Sequence, residues 1–344
     1  MRDVAEHAGV SVRTVSNVVS GYTHVSPEMR ARVQHSLDAL GYKMDYLARG
    51  LRSGRTGFVA LAVPFLAEPY FAELAQAVIR AAARRGITVL VESTEGDSET
   101  ERRILAGGLT NVADGVLFSA LTVPATDVAA TTAPDFPLVM LGEHDVGARF
   151  PRVGIDNVAA ARTAVEHLVE QGCRRIVALG RNGSENGRQR VEGYRQALSA
   201  AGVRRVNWLV EPVKDWNRAQ GYEAVRQLLE GSGPLPDAIF AFNDALAVGA
   251  LHALNASGVR VPDDVALASI DNVPESAYTH PPLTSVAPDL DVIAERALTL
   301  LDEQINRQPD GENTGRGSGG APAQRESTPF RLVVRESSQR RTAI

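Results

Sequence analysis

Two hydrophobic rhythms divide the chain. Up to about residue 42, apolar positions recur every three or four residues in three short stretches. Asp3–Gly9 carries Val4, Ala5 and Ala8 on one face and stops at a glycine. Ser11 is a good N-cap for a second helix, Val12–Val19, with Val15, Val18 and Val19 as its stripe and Arg13, Thr14 and Asn17 on other faces. Gly21 ends it. Ser26-Pro27-Glu28 then supplies a cap, a proline at the first position and an acid near the positive helix end. Val33, Leu37 and Leu40 form the third stripe, and Gly41 terminates it. A glycine-containing turn between the first two of three short helices is the helix-turn-helix pattern. It lets the second helix enter a major groove and offer its N-terminal side chains to base edges. A generic three-helix bundle shares the spacing.

Residues 43–57 hold weak helical spacing and three glycines, the pattern of a flexible linker. From Phe58 strand-like runs alternate with amphipathic stretches. The strands are Phe58–Val63, Thr88–Val91, Gly115–Phe118, Leu138–Leu141, Arg175–Leu179, Asn207–Val210, Ala238–Phe242 and Val265–Ile270. Between them lie Tyr70–Arg84, Val158–Glu170, Arg188–Ala200, Ala219–Leu229 and Ala245–Ala256. That alternation predicts an α/β body of two doubly wound, parallel-sheet lobes covered by helices. The expected first lobe is 58–155 plus 286–305, where Asp289–Ile305 returns to it as a helix; the second is 156–285 plus 327–337. Residues 306–326, rich in Gly, Pro, Asn and Ser, read as a flexible loop before a closing strand, Phe330–Val334.

Charge sharpens this division. The 344 residues carry a net −5, but residues 1–57 hold eight Lys/Arg against five Asp/Glu while the remainder holds 28 against 36. A basic head on an acidic body fits a nucleic-acid-reading module carried by a regulatory one. Composition is ordinary for a globular protein, with 44% hydrophobic and 22% charged residues. No apolar run of 18 or more suggests a membrane span, and the start lacks a secretory core. The lone Cys173 forms no internal disulfide and has no companion for a metal site, so a cytoplasmic location, no cofactor and no metal are expected.

The head closely resembles the LacI/GalR family of bacterial transcriptional regulators. The resemblance rests on Asp3-Val4-Ala5, Ala8-Gly9-Val10-Ser11, Thr14-Val15-Ser16, Val18 and Gly21, then Val25-Ser26-Pro27, Arg30, Arg32-Val33 and Leu40-Gly41-Tyr42. It implies that Val12, Arg13 and Asn17 read bases, while Ser11, Thr14 and Ser16 contact phosphate or brace the helix. Asn17 departs from the arginine of the best-known members; asparagine suits adenine where arginine suits guanine. The family also has a threonine-led cap before the first helix, so here either the start is shortened or that helix is poorly capped. The linker matches the family's hinge, a helix formed on operator DNA. Arg49 and Leu51 stand where the family presents a basic residue and its minor-groove wedge, which unstacks and bends the duplex. Gly50, in place of serine, costs that helix roughly 0.5 kcal/mol.

The body resembles the periplasmic sugar-binding fold. In such sheets ligands sit beyond the carboxyl ends of strands. Tyr70 and Phe71, Arg190 (expected to open a helix), Trp216, Asn243 and Asp271 fall at such places, and the resemblance aligns them with effector contacts. Each also has a structural reading: a cap, a core aromatic, a surface ion pair. Together they suit a sugar, through charge-assisted bonds to hydroxyls and a flat apolar face for ring C–H groups. A purine could also stack on Trp216 and bond to Asp271. Glu68 replaces the family's usual asparagine.

Catalysis is disfavoured. No G-x-G-x-x-G, Walker loop or metal-ligand pair is present, Ser269 and Asp271 lack a histidine at motif spacing, and His252 and His280 read as surface or capping residues. A transport-type solute-binding protein would carry a signal and no DNA-reading head. The expectation is therefore a regulator, not an enzyme. It binds double-stranded operator DNA as a homodimer, with tetramers left open, and responds to a small molecule, sugar preferred. The sign of that response stays open between inducer and corepressor, the latter suiting a nucleobase.

Overall fold

Met1–Thr56 and Gly57–Ile344 form separate units in the computed structural model, which describes residues 1–19, 22, 24–41, 55–123, 136–142, 150–203, 209–306 and 324–340. The first unit holds α1 (Arg2–Ala8), α2 (Val12–Val19) and α3 (Pro27–Ala39). Val4, Ala5, Ala8, Val15, Val18, Val33 and Leu37 close its core, as the three-to-four spacing requires. Gly9, at φ 62°, ends α1, and the Ser26 side chain caps α3 by accepting from the Met29 N–H. The α1 N-cap, Met1, makes no side-chain cap bond, in line with a poorly capped first helix. Residues 43–54 of the hinge lie outside the described set, so Arg49, Gly50 and Leu51 do as well.

In the second unit a first sheet runs β11-β5-β4-β3-β1-β2. Its strands are β1 (Phe58–Val63), β2 (Thr88–Ser93), β3 (Val116–Phe118), β4 (Leu138–Leu141), β5 (Arg152–Ile155) and β11 (Arg325–Thr328). All its pairings are parallel. The second sheet runs β12-β10-β9-β8-β6-β7, from β6 (Ile176–Arg181), β7 (Leu209–Pro212), β8 (Ala238–Ala241), β9 (Ala266–Ile270), β10 (Thr284–Pro288) and β12 (Phe330–Val333). Only β12 is antiparallel, against β10. Helices α4 (Pro69–Arg84), α5 (Ser98–Leu105), α6 (Asn157–Glu170), α7 (Glu185–Ala200), α8 (Arg218–Glu230), α9 (Asp244–Ala256) and α10 (Leu290–Asn306) cover the sheets. Along β1, Val59, Leu61 and Val63 join one core while Ala60 and Ala62 join another, so the strand is buried on both faces.

Three segments cross between the lobes: Asp156, Asp289 and Pro329. The last two are tied, since the Asp289 N–H donates to the Pro329 carbonyl at 3.1 Å. Helix α10 is held to α4 by a ladder of ion pairs: Arg80 to Asp291 at 3.0 Å, Arg85 to Glu295 at 2.8 Å and to Asp302 at 3.0 Å. In the second lobe, α8 and α9 touch through bare backbone. A Cβ on Gly249 would collide with the Arg218 carbonyl, and one on Gly221 with the Leu246 carbonyl. That contact fixes the start of α8 beside the start of α9.

The structure corrects the expected elements in several places. Arg325–Thr328, read as the end of a loop and the edge of the second lobe, is a strand of the first sheet parallel to β5. Only residues 307–323 of the expected loop lie outside the description. Strands β5 and β10 and helix α5 were not anticipated. The sequences Arg-Val-Gly-Ile and Arg-Glu-Ser-Thr lack a strand's apolar signature and are placed by pairing, while Ser-Glu-Thr-Glu-Arg-Arg-Ile-Leu reads as a charged loop. Arg190 does not open a helix: α7 starts at Glu185 behind a Ser184 cap, and Arg190 lies further along it.

Candidate functional site

The head offers one candidate surface. Ser11 accepts from the Thr14 N–H at 3.1 Å and pairs with its hydroxyl at 2.9 Å, which caps α2. Ser11, Val12 and Arg13 are exposed, and Thr14, Ser16 and Asn17 are half-buried. Val12 is 43% exposed although apolar, and it stands beside Arg13. Arg13 has no ion pair among the described residues. No acid sits in the first turn of α2 to offset its positive end. A groove-sized helix thus presents a cation and an apolar contact at its tip, a pairing that matches guanine acceptors and thymine methyls.

The body encloses a cavity of about 1240 Å³ between its lobes, lined by all six expected residues: Tyr70, Phe71, Arg190, Trp216, Asn243 and Asp271. The carboxyl ends of β1, β6, β7, β8 and β9 deliver them. Arg190 is buried in the wall. Its Nε donates to Asn157 Oδ1 at 2.7 Å, its Nη1 donates to the Phe242 carbonyl, and its guanidinium lies 4.8 Å from the Trp216 ring centre. Trp216 is held by its own N–H, which donates to the Gly180 carbonyl at 2.6 Å. Asn243 caps α9 by accepting from the Leu246 N–H at 2.9 Å, and its amide donates to the Trp216 carbonyl at 3.3 Å. The structural readings of Arg190 and Asn243 are therefore real as well: both groups build the wall that they line. Tyr70 and Phe71 meet edge to face, with ring centres 5.2 Å apart.

Asp271 differs from its neighbours. Among the described residues its carboxylate accepts no hydrogen bond. Burial pushes its carboxyl group well above the usual range; Arg190 opposes that, and Asp244 and Glu68 reinforce it by repulsion. Its backbone sits at φ 121°, followed by Asn272 at 49°, a left-handed pair that aims the carboxylate off the end of β9. A strained acid thus lines the cavity beside Trp216 and Arg190.

Behind it lies a cage that sequence reasoning passed over. Asp244, fully buried, accepts from Ser269 at 2.5 Å, Ser276 at 2.5 Å, Ser285 at 2.6 Å and the Val273 N–H at 2.9 Å. Burial still raises its carboxyl group, against the pull of those donors. Ser269 thus serves Asp244 rather than any nucleophilic role. Arg335, from the last described segment, donates to Asn272 Oδ1 at 2.7 Å. In the first lobe, buried Glu101 accepts from the N–H groups of Leu121, Thr122 and Val123 at 2.7 to 2.9 Å, which fixes a loop on the cavity rim. Glu68 meets Arg218 across the cleft at 3.5 Å. None of these links has a local sequence signal, because each partner comes from a distant segment. His252 lies against the Tyr222 ring, and the His280 carbonyl accepts from Asn255. Among the described residues no cluster of metal-ligating side chains occurs, and no helix is long and apolar enough to cross a membrane.

Comparison with known proteins agrees with both halves. A family model described as bacterial regulatory proteins, lacI family, matches residues 1–45, and one described as periplasmic binding protein-like domain matches 165–338. The chain is 32% identical to the ribose operon repressor of Halalkalibacterium halodurans, over 98% of this chain and 97% of that one. Among solved structures it is similar to the transcriptional regulator CelR in complex with cellobiose, with 31% identity, a TM-score of 0.69 and coverage of 97% and 98%. It is also similar to the lac repressor dimer bound to operator and an anti-inducer, with 26% identity, a TM-score of 0.78 and 98% coverage of both chains.

Proposed function

The chain belongs to the lacI family of bacterial regulatory proteins, a DNA-binding transcriptional regulator, and from that premise we propose a repressor released from a palindromic operator when a sugar enters the cavity between its lobes. The observation that carries the sugar reading is the open Asp271 carboxylate beside the braced Trp216 and Arg190 in one enclosed cavity. A ring hydroxyl satisfies the acid, and ring C–H groups lie on an aromatic face. The ribose and cellobiose named for two relatives support the same class.

Arg13, Val12 and Asn17 read each half-site, with Ser11, Thr14 and Ser16 fixing the helix on phosphates. Arg49 and Leu51 complete the contact as a hinge that folds on DNA and wedges the minor groove. A twofold operator calls for a twofold protein, and two chains pair through their bodies. Ile79 on α4 and Leu90 and Val91 on edge strand β2 are exposed apolar residues of the first lobe that suit such pairing. The protein works in the cytoplasm and performs no catalysis. The effector acts through its differential affinity for two lobe arrangements, of which one fits operator-bound hinges.

The test is direct. Operators are selected from random-sequence DNA by the purified protein, and fluorescence anisotropy follows binding at fixed salt with and without sugars and nucleobases. Release by a sugar supports the proposal. Binding strengthened by a ligand makes the ligand a corepressor, and a nucleobase hit removes the sugar reading.

A further inference from the structure

The cavity is larger than one sugar ring needs. At about 1240 Å³ it exceeds the roughly 300–1,000 Å³ of pockets that enclose drug-sized ligands. The anchoring groups already described cluster at the ends of β6, β7, β8 and β9. Away from them, the lining carries a second set of aromatic and apolar side chains that no core claims. Phe65 and Leu121 of the first lobe are each 38% exposed, and Tyr278 of the second is 88% exposed. Phe65 and Leu121 form one patch, because both reach over the bare backbone of Gly96: a Cβ there would lie 3.2 Å from Phe65 Cζ and 3.3 Å from Leu121 Cδ2. The Glu101 carboxylate pins the Leu121–Val123 backbone beneath that patch. A fixed apolar platform at the mouth of a sugar cavity suits the apolar face of a second ring, whose burial there releases water.

Charge narrows the occupant. The interior offers a carboxylate, Asp271, that accepts no hydrogen bond among the described residues, with Glu68 near enough to repel it. Among the described lining residues the guanidinium groups are balanced by acids: Arg190 by Asp271 nearby, Arg188 by Glu185, Arg218 by Glu68. Lys214 is exposed at the rim. A phosphorylated sugar would bring its charge against those acids with no unbalanced interior cation among the described residues to receive it.

We propose that this cavity takes an uncharged oligosaccharide of at least two rings, the inner ring bonded to Asp271 beside Trp216 and the outer ring lying on Phe65, Leu121 and Tyr278. The inference rests on the sugar reading above and extends it from a class to a size and a charge.

Calorimetric titration of the full chain tests it, with a library of free mono-, di- and trisaccharides, glucose 6-phosphate and adenine as probes. The expected result is an oligosaccharide that binds about tenfold or more tightly than its own inner monosaccharide, as one further stacked ring provides. In the double variant Phe65→Ser, Tyr278→Ser that ratio falls toward one; both side chains are exposed, so the fold survives. A monosaccharide that binds as tightly as any larger sugar overturns the second ring and leaves the sugar reading standing, as does an unchanged ratio in the variant. Glucose 6-phosphate binding as tightly as glucose overturns the exclusion of charge. Adenine binding in place of every sugar overturns the underlying reading itself.

Discussion

In the head, Ser11, Val12 and Arg13 stand in solvent above a core of seven small and branched apolar side chains. In the body, Arg190 and Asp244 are buried, and Trp216 and Asn243 are half-buried and bonded to the backbone of neighbouring loops. The two regions thus separate reading from folding to different degrees. A surface helix can change what it reads without touching its core. A cavity wall cannot, because each polar group in it must be satisfied by its neighbours before it can meet a ligand. Asp271, strained and with a carboxylate that accepts no hydrogen bond among the described residues, is the part of the wall proposed to meet the ligand.

The largest expected effect lies in the wall. Asp244→Ala removes the acceptor of four donors; Ser269 keeps only the Thr284 carbonyl at 3.4 Å, while the Ser276 and Ser285 hydroxyls and the Val273 N–H lose their acceptor in a buried interior. Loss of about 3–5 kcal/mol is expected in urea unfolding of the body. A loss below about 1 kcal/mol would show that the cage carries little structure and would erase the contrast with the head.

Arg13→Ala is the matching change on the surface. It should weaken operator binding by about 1–3 kcal/mol and relax preference at one base position. Because Arg13 is exposed and makes no ion pair among the described residues, the melting temperature should not move. Equal losses on operator and random DNA would reassign Arg13 to phosphate.

What could be read in advance follows the same divide. The head's periodicity and caps gave its three helices because local spacing decides a small bundle. In the body, long apolar runs such as Phe58–Val63 and Ala238–Ala241 announced themselves, and the six cavity residues stood at strand ends where the fold places ligands. The sequence did not disclose β11 or the Asp244 cage. A strand spelled Arg-Glu-Ser-Thr exists only by pairing with β5, and the cage joins residues 25 to 41 positions apart. Such features are set by tertiary partners rather than by propensity.

Asp271→Asn probes the wall's exception. The variant should lose release by the effector while operator affinity stays near its original value. Its effect on the free protein has the opposite sign from that of Asp244. Burial raises the Asp271 carboxyl group in the folded state above its ordinary 3.8, so its stability contribution is fully present below that value. That contribution is lost as pH rises through the raised folded value. At neutral pH the unligated variant should therefore melt a few degrees higher than the parent, and the gap should close in acid. A variant that melts lower at neutral pH would mean that Asp271 is structural after all.

The smallest effect is expected at Glu68, which among the described residues pairs across the cleft with a half-exposed Arg218 at 3.5 Å. Solvent screening leaves such a pair about 0–1 kcal/mol, so Glu68→Gln should barely change unfolding. Its informative consequence is indirect. Glu68 is one of the charges that raise the Asp271 carboxyl group, so its removal should bring that group toward the ordinary range and flatten the fall of stability with pH. Melting curves of the variant across acid to neutral pH, at low and high salt, would show this. An unaltered pH profile with altered effector affinity would instead make the Glu68–Arg218 pair a latch on lobe closure, a device that belongs to the cleft rather than to either wall.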